Sequence, residues 1–212
     1  GGGGASRREL TASILFRFLE IGGATGIMGS QTYMLETCFS WDGFLVEAHP
    51  EAFAKMSRSN RTAHMVHAAG CSEGQNVTVQ MGIKSTGSNS ITSLVDKARL
   101  DILNKKKILE HDGSQHPVQV PCRELQSIVR QLGWEEDGID LASVDVQGAE
   151  YGVFQGLQST IELHRPIILY EYYMDETHRS RKLLEQLGGP LLAAVAPRAA
   201  PLAVPPRVAQ PH

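Results

Sequence analysis

The sequence predicts an α/β domain built on a doubly wound, mostly parallel β-sheet. Three observations predict it. Short apolar runs alternate with amphipathic stretches along the central part of the chain, as in a sheet whose strands are joined by helices. The first of these runs ends in glycines, at Gly22, Gly23 and Gly26. Acidic residues follow two further runs, at Glu47 and Asp145, where the carboxyl ends of parallel strands open onto a ligand crevice.

The individual elements follow from the same pattern, taken in chain order. An apolar run bounded by turn residues predicts a buried strand, and apolar residues three and four positions apart predict a helix. The predicted strands are residues 14–21, 43–47, 64–69, 77–81, 139–146 and 167–172. The predicted helices are residues 26–39, 50–60, 121–132, 149–157 and 178–187. This alternation is that of a Rossmann-like fold.

Three segments depart from the pattern and set the domain limits. We expect residues 1–10 to form a flexible N-terminal segment and residues 11–188 to form the folded domain. Residues 189–212 are rich in Pro and Ala, which forbids a helix or a central strand and predicts a disordered tail. The closing strands of the sheet are therefore expected to be missing. Residues 86–116 are polar and then Lys-bearing, so they predict either an insertion that covers the site or a solvated helix face.

Composition narrows the class of protein. The 212 residues fit one domain, and a net charge of −3 gives no reason to expect a nucleic-acid or membrane partner. The three cysteines, Cys38, Cys71 and Cys122, are far apart and lack a CxxC pair. Their separation argues against a disulfide framework and a zinc site, and it favours a reducing, cytoplasmic location. No metal site is predicted, and the oligomeric state is left open.

Residues 20–26 form the first candidate motif, a strand end that runs into a glycine turn. The dinucleotide pattern G-x-G-x-x-G fails, because its second and third glycine positions counted from Gly22 hold Ala24 and Ile27. The spacing acid-x-Gly-x-x-x-Gly instead fits the loop that holds the amino-acid half of S-adenosylmethionine, with Glu20 near the ammonium group. A tight turn without a ligand is the alternative. The residues expected to contact the cofactor are Glu20, Gly22, Gly23, Ala24 and Gly26.

Further acids lie at the ends of other predicted strands. Glu47 can accept both ribose hydroxyls of a nucleotide, or it can merely cap the next helix. Asp145 is expected beside the transferred methyl group, with Glu150 close behind it. Their alternative roles are those of a helix N-cap and of an acid at a helix N-terminus. Glu171 ends a later strand and is a candidate for a base or an orienting group.

Together these motifs resemble the FkbM-type methyltransferases. That family joins an acid-x-Gly loop, a strand ending V/F-E-P-x-P, a downstream Asn, an Ala-rich third strand and an Asp-x-Glu-Gly-Ala-Glu block. The matching segments appear in this order over about residues 14–172: they are residues 20–26, 46–50, 60, 67–72 and 145–150. Departures from the family pattern include Gln147, which stands where the family usually has Glu, and Ala24, which stands where its loop usually has Asn.

The resemblance implies the class I methyltransferase fold, S-adenosylmethionine as cofactor and O-methylation of a small molecule, often at a sugar hydroxyl. Ala48, Ala69 and Gly70 join the expected cofactor contacts at the ends of the second and third strands. Two other functions stay open at this point. A weakly active or inactive cofactor- or partner-binding domain is favoured by Gln147, Ala24 and the missing strands. An NAD(P)-dependent oxidoreductase is disfavoured by the failed glycine spacing.

Overall fold

The computed structural model describes residues 15–72, 78–81, 118–171, 178–188 and 194–195. The strands in these ranges are β1 (Arg17–Ile21), β2 (Asp42–Glu47), β3 (His64–His67), β4 (Ala69–Cys71), β5 (Thr78–Met81), β6 (Val118–Glu124), β7 (Leu141–Val144), β8 (Ile167–Glu171) and β9 (Ala194–Val195). The helices are α1 (Tyr33–Phe39), α2 (Pro50–Met56), α3 (Leu125–Gln131), α4 (Trp134–Asp137), α5 (Glu150–Gly156), α6 (Gln158–His164) and α7 (Arg179–Gln186).

The main sheet has the strand order β3-β2-β1-β7-β8-β9, and each neighbouring pair is parallel. The chain runs outward from β1 to β3 and then resumes on the other side of β1 with β7. The order therefore reverses between β1 and β7, where Ile21 is in register with Val144. Such a reversal is the point at which doubly wound sheets bind ligands. The predicted fold class, a Rossmann-like α/β sheet, is confirmed.

The central strands β1, β2 and β7 are buried over almost all of their length. Along β2 every residue from Gly43 to Glu47 is buried, as expected when helices cover a parallel sheet on both sides. One face packs against α5 and α7, where the Phe154 and Tyr170 rings meet edge to face at 5.4 Å between centroids. This packing positions the strand ends that carry the candidate site.

A second, smaller sheet has the order β4-β6-β5, with β4 parallel and β5 antiparallel to β6. It joins Cys71 of β4 to Cys122 of β6 in a disulfide with a Cα–Cα distance of 5.8 Å. The prediction that the separated cysteines form no disulfide is therefore wrong. Parallel pairing of β4 with β6 brings together residues 51 positions apart in sequence, whereas Cys38 is exposed and free. The predicted compartment stays a prediction.

Two predicted helices begin too early. The helix expected at residues 26–39 is shorter in the structure, where α1 covers Tyr33–Phe39. The loop before it cannot be helical, because Gly22, Gly26 and Gly29 have φ values of 90°, 77° and 90°, which an α-helix does not contain. The helix expected at 121–132 begins at Leu125, and Pro121 lies in β6 opposite Thr78. Likewise, the strand expected at 64–69 is divided between β3 and β4, which belong to different sheets. Helices α4 and α6 were not predicted.

The end of the sheet also differs from expectation. Ala194 and Val195 form β9, which pairs in parallel with Tyr170 and Glu171 of β8, so one segment of the predicted disordered tail extends the sheet. The rest of residues 189–212, the N-terminal segment 1–10 and the predicted insertion 86–116 lie outside the described residues. Over the ranges that are described, no helix is long and apolar enough to cross a bilayer.

Candidate active site

A cavity of about 280 Å³ opens where β1, β2 and β7 end. Its position is the switch point of the sheet, so the residues that follow these three strands converge on it. Its described lining residues are Ile21, Gly22, Ala24, Gly29, Val46, Glu47, Ala48, His49, Ala52, Ala68, Ala69, Gly70, Asp145, Val146, Gln147 and Ala149. Apolar walls with a few convergent polar groups are typical of small-molecule sites.

The glycine turn after β1 packs directly against the neighbouring strand ends. The backbone N–H groups of Gly22 and Gly23 both donate to Val46 O, at 2.8 and 3.2 Å. Gly22 has φ +90°, and a Cβ on it would overlap the carbonyl oxygen of Asp145. Only glycine fits this position, because both its φ value and its contact exclude a side chain. At Gly22 the turn therefore presents backbone to the cavity.

Glu47 at the end of β2 ties the glycine turn to the next loop. Its Oε2 accepts the Ala24 N–H at 2.8 Å, and its Oε1 accepts the His49 N–H at 2.7 Å. The side chain is buried yet lines the cavity. Burial raises the pKa of Glu47, and the hydrogen bonds from His49 and Ala24 oppose that rise by stabilising the carboxylate.

The Glu20 carboxylate lies in a different environment. It accepts hydrogen bonds from Ser30 Oγ at 2.7 Å, Gln31 N at 2.5 Å and Thr32 Oγ1 at 2.6 Å. Burial raises the pKa of Glu20, and the hydrogen bonds, with the charge of Arg61, oppose that rise. In the described structure this carboxylate holds the end of the loop that leads into α1, and Glu20 is not among the described lining residues. Its predicted contact with a cofactor ammonium stays a prediction.

Arg61 braces the same loop from the opposite side. Its guanidinium is buried and donates to Glu36 Oε2 at 2.5 Å, to Gly26 O at 2.6 Å and to Ser30 Oγ at 3.0 Å. A buried ion pair is retained when further hydrogen bonds satisfy both partners, as they do here. The glycine loop, which contains no helix before α1, is therefore fixed by charged side chains rather than by regular structure.

Asp145, Gln147 and Glu171 form the polar group on the β7 side. The Gln147 Nε2 donates to Asp145 Oδ1 at 2.7 Å and to Glu171 Oε2 at 3.1 Å. Gln147 has φ +52°, an uncommon conformation for a residue with a side chain, and it points this amide between the two carboxylates. Glu150 lies apart: it is buried at the start of α5 and accepts the Gly148 N–H at 2.8 Å.

His49 is a further polar residue at the cavity, immediately before α2. Its Nδ1 accepts the Glu51 and Ala52 N–H groups at 3.2 and 3.3 Å and so caps the helix. Burial lowers the pKa of His49. The sequence predicts His49 at the cofactor edge, as a structural histidine rather than a base, because a lone histidine beside a strand end is most often structural.

The structure brings together part of the predicted set. The predicted site residues that line the cavity are Gly22, Ala24, Glu47, Ala48, Ala69, Gly70 and Asp145. Those that do not appear among its described lining residues are Glu20, Gly23, Gly26, Glu150 and Glu171. Glu171 is one hydrogen bond from the cavity through Gln147. The motifs did not predict the lining residues Gly29 and Ala52. No sequence signal marks them, because Gly29 reaches the cavity through the path of its loop and Ala52 through the first turn of α2.

Within the described ranges, no group of three or more His, Cys, Asp or Glu side chains is arranged to hold a metal ion. The Glu47 and Asp145 carboxylates at the cavity accept hydrogen bonds from backbone or amide N–H groups. Such an arrangement suits hydrogen-bonding ligands.

Comparison with known proteins agrees with the motifs. The profile of the Methyltransferase FkbM domain matches residues 20–189, which is most of the chain. The structure also resembles a solved methyltransferase FkbM from Methylobacillus flagellatus KT, with 12% sequence identity and a TM-score of 0.45, covering 82% of this chain and 36% of that one. This chain thus spans well under half of that structure's length. No curated protein gives a significant match. Because the domain profile covers most of the sequence, the chain belongs to the FkbM methyltransferase family.

Proposed function

We propose that the chain is an S-adenosylmethionine-dependent methyltransferase that methylates a hydroxyl group of a small molecule such as a sugar. The observation that carries the proposal is the position of Glu47 and Asp145, which line one cavity from the two sides of the glycine turn. Glu47 is the last residue of β2, and Asp145 follows β7 across the switch point. In this proposal, Glu47 binds the nucleoside and Asp145 serves the reacting groups.

The residues present fit such a cofactor. A cavity of about 280 Å³ is near the lower end of the usual range for ligand pockets. Gly22 presents backbone to the cavity, because the place that a Cβ would take is filled by the Asp145 carbonyl oxygen. The Glu47 carboxylate is held by two backbone N–H groups at the cavity wall, where its remaining acceptor capacity suits vicinal ribose hydroxyls.

The chemistry demands positioning more than covalent participation by the protein. S-adenosylmethionine, when bound, supplies an electrophilic methyl group on its sulfonium. The protein must then orient an acceptor hydroxyl, exclude water and take up the hydroxyl proton. We assign the proton to Asp145, whose Oδ1 is fixed by Gln147 while Oδ2 accepts no hydrogen bond from the described residues. Through the same amide, Glu171 is a positioning group for Asp145.

Binding is tested by isothermal titration calorimetry with S-adenosylmethionine, S-adenosylhomocysteine and NAD. We expect binding of the first two. We expect Glu47→Ala to weaken it about 10- to 100-fold, the effect of removing a charged hydrogen-bond acceptor. Glu162→Ala is the matched control, because Glu162 is exposed on α6 and contacts Gln158. Absence of heat with both sulfur compounds would refute the proposal, and heat with NAD alone would indicate an oxidoreductase.

Transfer is tested separately from binding with the Asp145→Asn variant. The Asn oxygen can still accept the hydrogen bond from Gln147, but it cannot take a proton. We expect methyl transfer from labelled S-adenosylmethionine to a panel of hydroxyl acceptors to fall about 100-fold or more. The dissociation constant for S-adenosylhomocysteine should stay within about threefold of wild type, because the ribose contact at Glu47 is intact. Unchanged turnover would remove Asp145 from the proposed role.

A further inference from the structure

His49 has a ring whose two nitrogens serve different purposes. The residue is 8% exposed, precedes α2 and lines the cavity beside Glu47. Its Nδ1 accepts two backbone N–H groups, from Glu51 and Ala52. A nitrogen that accepts hydrogen bonds carries no proton, so the single proton of the neutral ring lies on Nε2. The helix cap thereby fixes the tautomer.

The surroundings of the ring keep it neutral near pH 7. Burial lowers the pKa of His49, and the charge of Lys55 and the nearby His67 act in the same direction. The charge of Glu51 and a hydrogen bond with the backbone of His49 itself oppose this lowering of the pKa, which burial outweighs. The Glu47 carboxylate accepts backbone N–H groups at 2.7 and 2.8 Å. No residue in the described part of the chain accepts a hydrogen bond from Nε2.

We propose that His49 is a ligand-binding residue whose Nε2–H donates a hydrogen bond to the nucleoside held by Glu47. The inference rests on the proposed function. Glu47 can only accept hydrogen bonds, whereas the neutral ring of His49, which lines the same cavity, carries a donor at Nε2. The pair therefore recognises a group that offers a hydroxyl donor and, close by, a lone pair. In a nucleoside, that lone pair belongs to a ribose oxygen or to a ring nitrogen of the base.

Two substitutions separate the cap from the donor. In His49→Asn the side-chain oxygen can still accept the Glu51 and Ala52 N–H groups, because Asn is a favoured N-cap, but it is too short to replace Nε2. In His49→Gln the amide nitrogen can take the place of Nε2, whereas Gln is not a favoured N-cap. The ligand probe is S-adenosylhomocysteine, measured by isothermal titration, and the stability readout is the melting temperature.

We expect His49→Asn to weaken binding about three- to tenfold while the melting temperature is unchanged. We expect His49→Gln to bind within about threefold of wild type and to melt about 2–4 °C lower, because the cap is lost. The opposite order, weak binding in His49→Gln and normal binding in His49→Asn, would overturn the inference and leave His49 as a cap alone. Equal binding by all three proteins would overturn it too.

The acceptor atom is identified with the 3-deaza analogue of S-adenosylhomocysteine, which lacks one ring nitrogen of the adenine. If wild type and His49→Asn bind this analogue equally, the donor contacts that nitrogen; if the difference persists, it contacts a ribose oxygen or another base nitrogen. Failure of wild type to bind S-adenosylhomocysteine would reject the proposed function itself. Normal wild-type binding without a His49→Asn effect would reject only this inference.

Discussion

Loss of the Cys71–Cys122 bridge is expected to destabilise the domain strongly. The bridge closes a loop of 51 residues between β4 and β6. In the chain-entropy description of cross-links, a loop of that length restricts the unfolded chain by about 4 kcal/mol at 25 °C. With a denaturant slope of about 2 kcal/mol/M, typical of urea, the unfolding midpoint should fall by up to about 2 M.

The assay is equilibrium unfolding in urea, followed by circular dichroism, of the oxidised protein and of the Cys71→Ala/Cys122→Ala variant. Both cysteines are 1% exposed, so for the reduced wild type the reductant is added in the unfolded state and kept during refolding. Thiol titration in denaturant supplies the control: the oxidised chain should give only the Cys38 thiol, and the reduced chain all three. A Cys38→Ser protein should unfold as wild type does.

Coincident midpoints for the oxidised protein and the double variant would refute this reasoning. They would mean that the unfolded chain is already restricted between the two positions, or that the bridge does not form. The thiol titration distinguishes these two cases, because only the second gives three reactive thiols before reduction.

Three further predictions concern the cavity. Gly22→Ala should lower the melting temperature and abolish S-adenosylhomocysteine binding, because φ +90° and the contact with Asp145 O both exclude a side chain. The control is Gly152→Ala in α5, where the new methyl group meets open space and neither property should change. Gln147→Glu should make the melting temperature respond to Mg²⁺, whereas that of wild type should not. The substitution places a third carboxylate within hydrogen-bonding distance of Asp145 and Glu171. Calorimetric scans with and without Mg²⁺ measure the effect. Binding of S-adenosylhomocysteine should weaken as the pH falls, beginning above the ordinary carboxyl pKa of 4.5, because the pKa of Glu47 is raised and the carboxylate is protonated at a higher pH. In titrations at several pH values, Glu47→Gln should bind more weakly than wild type, and its affinity should not depend on pH in this range.

The sheet and its strand-end acids could be predicted because their signals are local. The apolar runs that became β1, β2 and β7 are buried on both faces, which produces continuous hydrophobic stretches. Glu47 and Asp145 follow such stretches directly, so their places at the cavity followed from strand direction alone. The family motifs then selected the class of cofactor.

Contacts between distant segments could not be predicted in the same way. The Cys71–Cys122 bridge depends on the register of β4 against β6, which no local pattern specifies. The hydrogen bonds from Ser30 and Thr32 to Glu20 depend on the path of the glycine loop, and that path is set by positive φ values rather than by apolar spacing. The role of His49 depended on which ring nitrogen caps α2.

The contacts around Gly22 also bear on protein engineering. The three loops at the cavity are connected by hydrogen bonds. Gly22 N donates to Val46 O, Ala24 N donates to the Glu47 carboxylate, and Asp145 N donates to Ile21 O. A loop transplanted alone from another family member would meet mismatched partners on both sides. Loop exchange aimed at a new acceptor should therefore move the segments after β1, β2 and β7 as a set, and substitutions within one should depend strongly on the residues present in the other two.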